Sequence, residues 1–170
     1  MEQKVGWAEP GCVIGQPRIQ KVDGFQYLYA EQMHVHETEV GNAMGVVMGR
    51  LGSAWERIFG KAPSPPMLVM FIDLDEPRMY DVQAGYVVPE GTTPQGETQV
   101  RYVPPALVAS MLVWGDLSSV PKSYAPLMEF MNAQGLKCIE GWREWYLLFE
   151  SDSSMNNVTW VQHVAEELHD

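Results

Sequence analysis

The chain has 170 residues, 46% of them hydrophobic, enough for one compact core or two small half-domains packed together. Its 11 Lys and Arg against 22 Asp and Glu leave a formal charge of -11, which repels phosphate backbones and anionic membrane surfaces and argues against direct nucleic-acid binding. No run approaches the roughly 20 apolar residues that cross a bilayer, and MEQKVGWAEPGCVIGQ lacks an apolar stretch of signal-peptide length, so the expected location is the cytoplasm.

Residues 1–24 are rich in Gly, Pro and polar groups and read as an irregular arm ahead of a single domain over 25–170. Phe25 to His36 (FQYLYAEQMHVH) has extended character. HETEVGNAMG then leads into a helix. Its Met44, Val47, Met48, Leu51, Trp55, Ile58 and Phe59 recur at three- and four-residue spacing as one apolar stripe, and Gly60 is a C-terminal stop. KAPSPP breaks the chain before MLVMFIDLD, a short apolar strand. Asp75, Glu76 and Pro77 make a turn into MYDVQAGYVVPE, a second strand.

The order then starts again. Val100 to Val113 (VRYVPPALVASMLV) reads as extended, and WGDLSS leads into a helix with Val120, Tyr124, Leu127, Met128 and Met131 on one face and Gly135 as its stop. GWREWYLLF is the next strand, SDSSMNN a turn, and VTWVQHVAEEL the last strand. The expected fold class is α+β: two pseudo-symmetric strand-helix-strand-strand repeats, about 25–95 and 98–168, offset by roughly 75 residues. Their strands form an antiparallel sheet with a ligand cleft between the halves, since concave sites form at such junctions.

Within GWREWYLLFE, alternation puts Trp142, Glu144, Tyr146 and Leu148 on one face and Arg143, Trp145, Leu147 and Phe149 on the other. Arg143 therefore cannot simply neutralise Glu144. Aligning Phe149 with Phe71 sets Glu144 against Pro66, so the first half offers no matching acid. A carboxylate taken out of water needs a cation, hydrogen bonds or a proton. The plain reading is a hydrated strand end or a surface ion pair. The sharper one is a ligand-facing anion among Trp and Tyr rings, each worth roughly 0.5–2 kcal/mol to a delocalised or quaternary cation.

The double strand-helix-strand-strand order, the stretch VWGDLSSVPKSYAPLMEFMNAQG, and the run Glu144-Trp145-Tyr146-Leu147 resemble the GyrI-like, or AraC-type effector-binding, small-molecule domain over about residues 25–168. The resemblance implies a ligand-sensing module in which a buried glutamate on this strand binds lipophilic cations. That role carries over to Glu144, and to Tyr146 beside it; Trp142 joins them through strand alternation, and Trp55, Tyr80, Tyr86, Trp114 and Trp160 are added on aromatic character alone. The implied partners are small hydrophobic cationic ligands, with no cofactor. No room remains for a helix-turn-helix, so a freestanding binding domain is implied. Nothing in the sequence selects an oligomeric state, a homodimer included.

Other chemistry is thinner. His34 and His36 share one side of an extended segment, and His163 could add a third ligand, but no second strong ligand pair accompanies them and no metal is assigned. Cys12 and Cys138 form no framework or nucleophile signature and read as reduced thiols. The 11 methionines fall mainly on apolar stripes as core filling, while thioethers lining a cleft would suit broad, multidrug-type specificity. No phosphate loop, Ser-His-Asp signature or nucleotide fingerprint occurs. Two alternatives stand beside the binding reading. Glu144 could serve as general acid or base in hydrolysing electrophilic toxins, as the resemblance also implies, or the acidic domain could act as a protein-binding inhibitor.

Overall fold

The computed structural model describes residues 13–167. β1 (Val13–Ile14), β2 (Arg18–Val22) and β3 (Phe25–His36) precede α1 (Val40–Phe59), and β4 (Met67–Asp73) and β5 (Met79–Val88) follow it. β6 (Gln99–Val103) and β7 (Ala106–Trp114) lead through a 3-10 turn at Leu117–Ser123 into α2 (Tyr124–Ala133), and β8 (Leu136–Leu148) and β9 (Val158–Glu167) complete the chain. The strands form one sheet in the order β1-β7-β9-β8-β4-β5-β3-β6, with β2 also on β7, and every pairing is antiparallel. Neither helix is long and apolar enough to cross a membrane.

Each half contributes strands in the same spatial order, β3-β5-β4 and β7-β9-β8, and the halves join through β4 and β8. The fold is α+β, built from two pseudo-symmetric strand-helix-strand-strand repeats. Register places Phe71, Trp142, His163 and Ala109 in one row across the sheet, and Val69, Glu144, Val161 and Met111 in the next. Both helices cover that face. α1 packs Val47, Leu51 and Trp55 against Val69 and Phe71, while α2 packs Leu127 and Met131 against Met111 and Val161. The β4–β8 seam thus runs between the helices, at the junction where a site is expected.

The helix ends follow from the sequence. Gly60 takes the left-handed conformation (φ 65°) and its N–H closes on the Glu56 carbonyl, a backbone state that glycine enters without a Cβ penalty. Ala43, Val47, Leu51, Ala54 and Trp55 form the buried stripe of α1. Met48 and Met128, expected on apolar stripes, lie exposed at the margins of their helices.

The other face turns inward. Only Pro104 and Pro105 separate β6 from β7, and three Cα steps span at most about 11 Å, so strands at opposite ends of the sheet order are drawn together and the sheet curls. Tyr27, Tyr29, Leu68, Met70 and Val103 are buried inside the curl.

Two expectations change here. The arm over 1–24 is not irregular where it is described: β2 and β1 pair with β7. Its residues 1–12 lie outside the described part. The single extended run over Val100–Val113 is two strands, because proline donates no ladder hydrogen bond and breaks the pairing at Pro104–Pro105; β6 joins the first half through β3, and β7 the second.

Candidate ligand-binding site

Glu144 sits at the centre of the sheet, opposite Val69 on β4 and Val161 on β9, and is 5% exposed. Its carboxylate accepts three hydrogen bonds. The Tyr124 hydroxyl donates to Oε1 at 2.5 Å and the Trp142 indole N–H to the same oxygen at 3.2 Å, while the Tyr146 hydroxyl donates to Oε2 at 2.6 Å. No ion pair among the described residues includes Glu144. Among the described residues the buried anion is held by neutral donors alone, and such charge-assisted bonds are the strong class.

Strand geometry explains three of these four groups. Trp142, Glu144 and Tyr146 alternate onto one face of β8, and their register is set by a bulge just before them, between Cys138 and Trp142. In that bulge Glu140 (φ 64°) and Gly141 (φ 84°) are both left-handed. A Cβ on Gly141 would fall 2.0 Å from the Phe71 carbonyl oxygen, so only glycine lets β8 approach β4 there. Tyr124 comes from the first turn of α2, where a hydroxyl carried into an apolar interface must find an acceptor.

Trp142 is the hub of an aromatic cluster. Its ring stacks on Phe71 (4.7 Å between centroids), meets Tyr80 edge-on (5.0 Å) and Tyr124 at a tilt (5.5 Å), and lies parallel to His163 (6.3 Å). Burial and then the negative charge of Glu144 raise the hydroxyl pKa of both Tyr124 and Tyr146, so both remain protonated donors. Burial pushes His163 down to about 4, which keeps its imidazole neutral at pH 7; its Nδ1 lies 3.4 Å from Cys138 Sγ, and its Nε2 is buried without a hydrogen-bond partner. Burial likewise pushes the Cys138 thiol up to about 11, the opposite of an activated nucleophile.

Of the residues singled out in the sequence, Glu144, Tyr146 and Trp142 come together, with Tyr80 against Trp142. Trp55 and Tyr86 pack on each other at 4.8 Å and line a cavity of about 440 Å³ with Phe59 and Pro66, at the end of α1. Trp114 and Trp160 fall on the opposite face: Trp160 pairs with Trp145, and Trp114 lies opposite Val158 at the strand end. Even residue spacing along β7 and β9 would have separated them from Glu144 had the pairing been known. Tyr124 and Phe71 belong to the cluster although neither was singled out for it. The one signal for Tyr124 was a phenol on an otherwise apolar helical stripe. His34 and His36 lie at the far end of β3, and among the described residues no three His, Cys, Asp or Glu side chains gather to hold a metal.

No family model and no curated protein matches the chain. Among solved structures, the C-terminal domain of EcmrR is similar over 91% of this chain and 99% of its own, with a TM-score of 0.71 and 14% identity. SAV2435 bound to tetraphenylphosphonium is similar over 89% of this chain and 94% of its own (TM-score 0.62, 9% identity), and a hydrolase from Listeria innocua over 89% and 92% (TM-score 0.59, 12% identity). Against the longer EcmrR chain in its DNA complex, this chain spans 58% of that protein's length. This chain shares their architecture, the GyrI-like α+β fold.

Proposed function

We propose that the domain binds bulky lipophilic cations at Glu144, beneath the rings of Trp142, Tyr124, Tyr146 and Tyr80. One observation carries this reading: a carboxylate 5% exposed at the sheet centre, hydrogen-bonded yet met by no cation of the described residues. Burying an anion costs several kcal/mol, and a cationic guest would offset that cost while gaining roughly 0.5–2 kcal/mol from each ring it faces. The overall charge of -11 raises the local concentration of cations around the molecule. The likeness to SAV2435, which was solved with tetraphenylphosphonium, supports the same ligand class.

The rings cover the carboxylate, so a guest enters only as they separate. Tyr124 is the element to move. Its hydroxyl comes from the first turn of α2, whereas Trp142 and Tyr146 are fixed in the central strand β8. Sequestration or sensing of hydrophobic cations is the activity that this geometry serves.

The test is titration with tetraphenylphosphonium and cationic dyes, read by tryptophan quenching and thermal shift. Glu144→Gln is expected to weaken binding at least tenfold, about 1.4 kcal/mol. Equal affinity in the two proteins would remove the carboxylate from this role.

A second reading makes the Glu144 carboxylate a general base that activates water against a strained electrophile, with the Tyr124 and Tyr146 hydroxyls orienting it. The likeness to a hydrolase from Listeria innocua favours it. Mass spectrometry after incubation with electrophilic cyclopropanes decides: product formation supports turnover, and intact compound at long times leaves binding alone.

A further inference from the structure

The face of the sheet turned away from the helices carries two arginines, of which Arg101 lies over the Tyr27 and Tyr29 rings and is linked through Gln83 to the Glu31 carboxylate. Alternation along β8 sends Arg143 to this side, and the curl brings it to a cavity that it shares with Arg101 of β6. The cavity holds about 330 Å³, with Met70, Ile72, Val103 and Val164 in its walls. Arg143 is 5% exposed, and its Nη1 is buried without a hydrogen-bond partner. The Nε of Arg101 is also buried and unpartnered, although its Nη2 donates to Gln83 Oε1 at 2.9 Å and approaches Met70 Sδ at 3.0 Å. Neither arginine takes part in an ion pair among the described residues.

A guanidinium holds its charge at any physiological pH, so it cannot escape the cost of burial by releasing a proton. Two of them sharing one cavity also repel each other, and burial together with Arg101 opposes the charged form of Arg143. An anion placed between them relieves both effects. Glu140, exposed at the rim, is the one carboxylate lining the cavity; its charge favours the charged form of Arg143, yet it makes no ion pair with it.

We propose that this cavity binds a small organic oxyanion, a carboxylate with a compact apolar body, held by Arg101 and Arg143. Guanidinium groups match a carboxylate through paired N–H donors, and both arginines line this space. The apolar walls suit the body of such a ligand better than a bare inorganic anion. Neighbouring residues of one strand then serve ligands of opposite charge on opposite faces, Glu144 the cation and Arg143 the anion.

Benzoate is the probe, with benzamide as its neutral counterpart and inorganic phosphate as the bare anion, titrated into the full chain by calorimetry at fixed ionic strength. Saturable benzoate binding is expected, at least tenfold weaker for benzamide, at least tenfold weaker in Arg101→Gln and Arg143→Met, and stronger in Glu140→Gln. No saturable benzoate binding, equal binding of benzoate and benzamide, or affinity unmoved by both arginine substitutions overturns the proposal. Tighter binding of phosphate than of benzoate overturns the apolar-bodied ligand. Should Arg143→Met fail to fold, Arg101→Gln and Glu140→Gln decide it, since both side chains lie partly or fully in solvent.

Discussion

Val69 faces Glu144 directly across the antiparallel β4–β8 pair, so the middle of the sheet sets an aliphatic side chain against a carboxylate. The two halves share a topology, but their seam is chemically one-sided. The acid is stabilised from β8 itself and from α2, and the first half supplies aliphatic and aromatic walls.

That one-sidedness makes the hydrogen bonds to Glu144 unequal. Among the described residues Tyr146 is the sole donor to Oε2, whereas Oε1 keeps the Trp142 N–H if Tyr124 loses its hydroxyl. Tyr146→Phe should lower the unfolding free energy by about 1.5–3 kcal/mol, the range for bonds to charged groups, and Tyr124→Phe by less. Chemical denaturation measures both, and a larger cost for Tyr124→Phe would contradict this geometry.

Aromatic residues should divide by face. Trp142→Leu removes the ring at the hub of the cluster and is expected to cost at least about tenfold in affinity for tetraphenylphosphonium. Trp114→Leu, on the other face and 38% exposed, should leave that affinity unchanged. An equal loss in both variants would place the guest elsewhere.

Acid should destabilise the fold through His163. Burial holds its folded pKa down to about 4, while the unfolded chain takes the proton near 6.5. Between those values the unfolded state binds more protons, so the stability present above about pH 6.5 is lost as pH falls towards 4, by up to about 3 kcal/mol. Below both values the slope from this group ends. Denaturant midpoints from pH 7.5 to 4 should fall more steeply for the parent than for His163→Gln, and parallel curves would show that the imidazole is free to charge in the folded state.

Gly141→Ala should be among the most damaging single changes in the chain. The residue combines φ 84° with a Cβ position 2.0 Å from the Phe71 carbonyl oxygen, and backbone cannot move aside as a flexible side chain would. A loss of more than about 3 kcal/mol is expected from strain and broken β4–β8 pairing. Thermal unfolding would register it, and a shift within error would show that the bulge accommodates a side chain.

Much of this was legible before any coordinates. The 3.6-residue stripe of α1 and its Gly60 stop, the repeated strand-helix-strand-strand order, and the facing of Glu144 with Trp142 and Tyr146 all follow from local periodicity, which a single strand or helix imposes whatever its neighbours. What failed was non-local. RIQKV has too little pattern to announce β2; only β7 alongside it supplies the hydrogen bonds that make it a strand. Trp114 and Trp160 matched the chemistry of the site, but their faces depend on register with β9 and β8, which no short window contains.

The sequence by itself determined which residues share a face within each element and that one acid would be stranded among aromatics. Tertiary structure alone decided that Tyr124 would arrive from α2 to hold that acid, that no lysine or arginine of the described residues would pair with it, and that Arg143 would meet Arg101 across a curled sheet. The reason is distance along the chain. Periodicity acts over a few residues, whereas these encounters join groups 20 and 42 positions apart, set by strand order and by the short Pro104–Pro105 link that closes the curl.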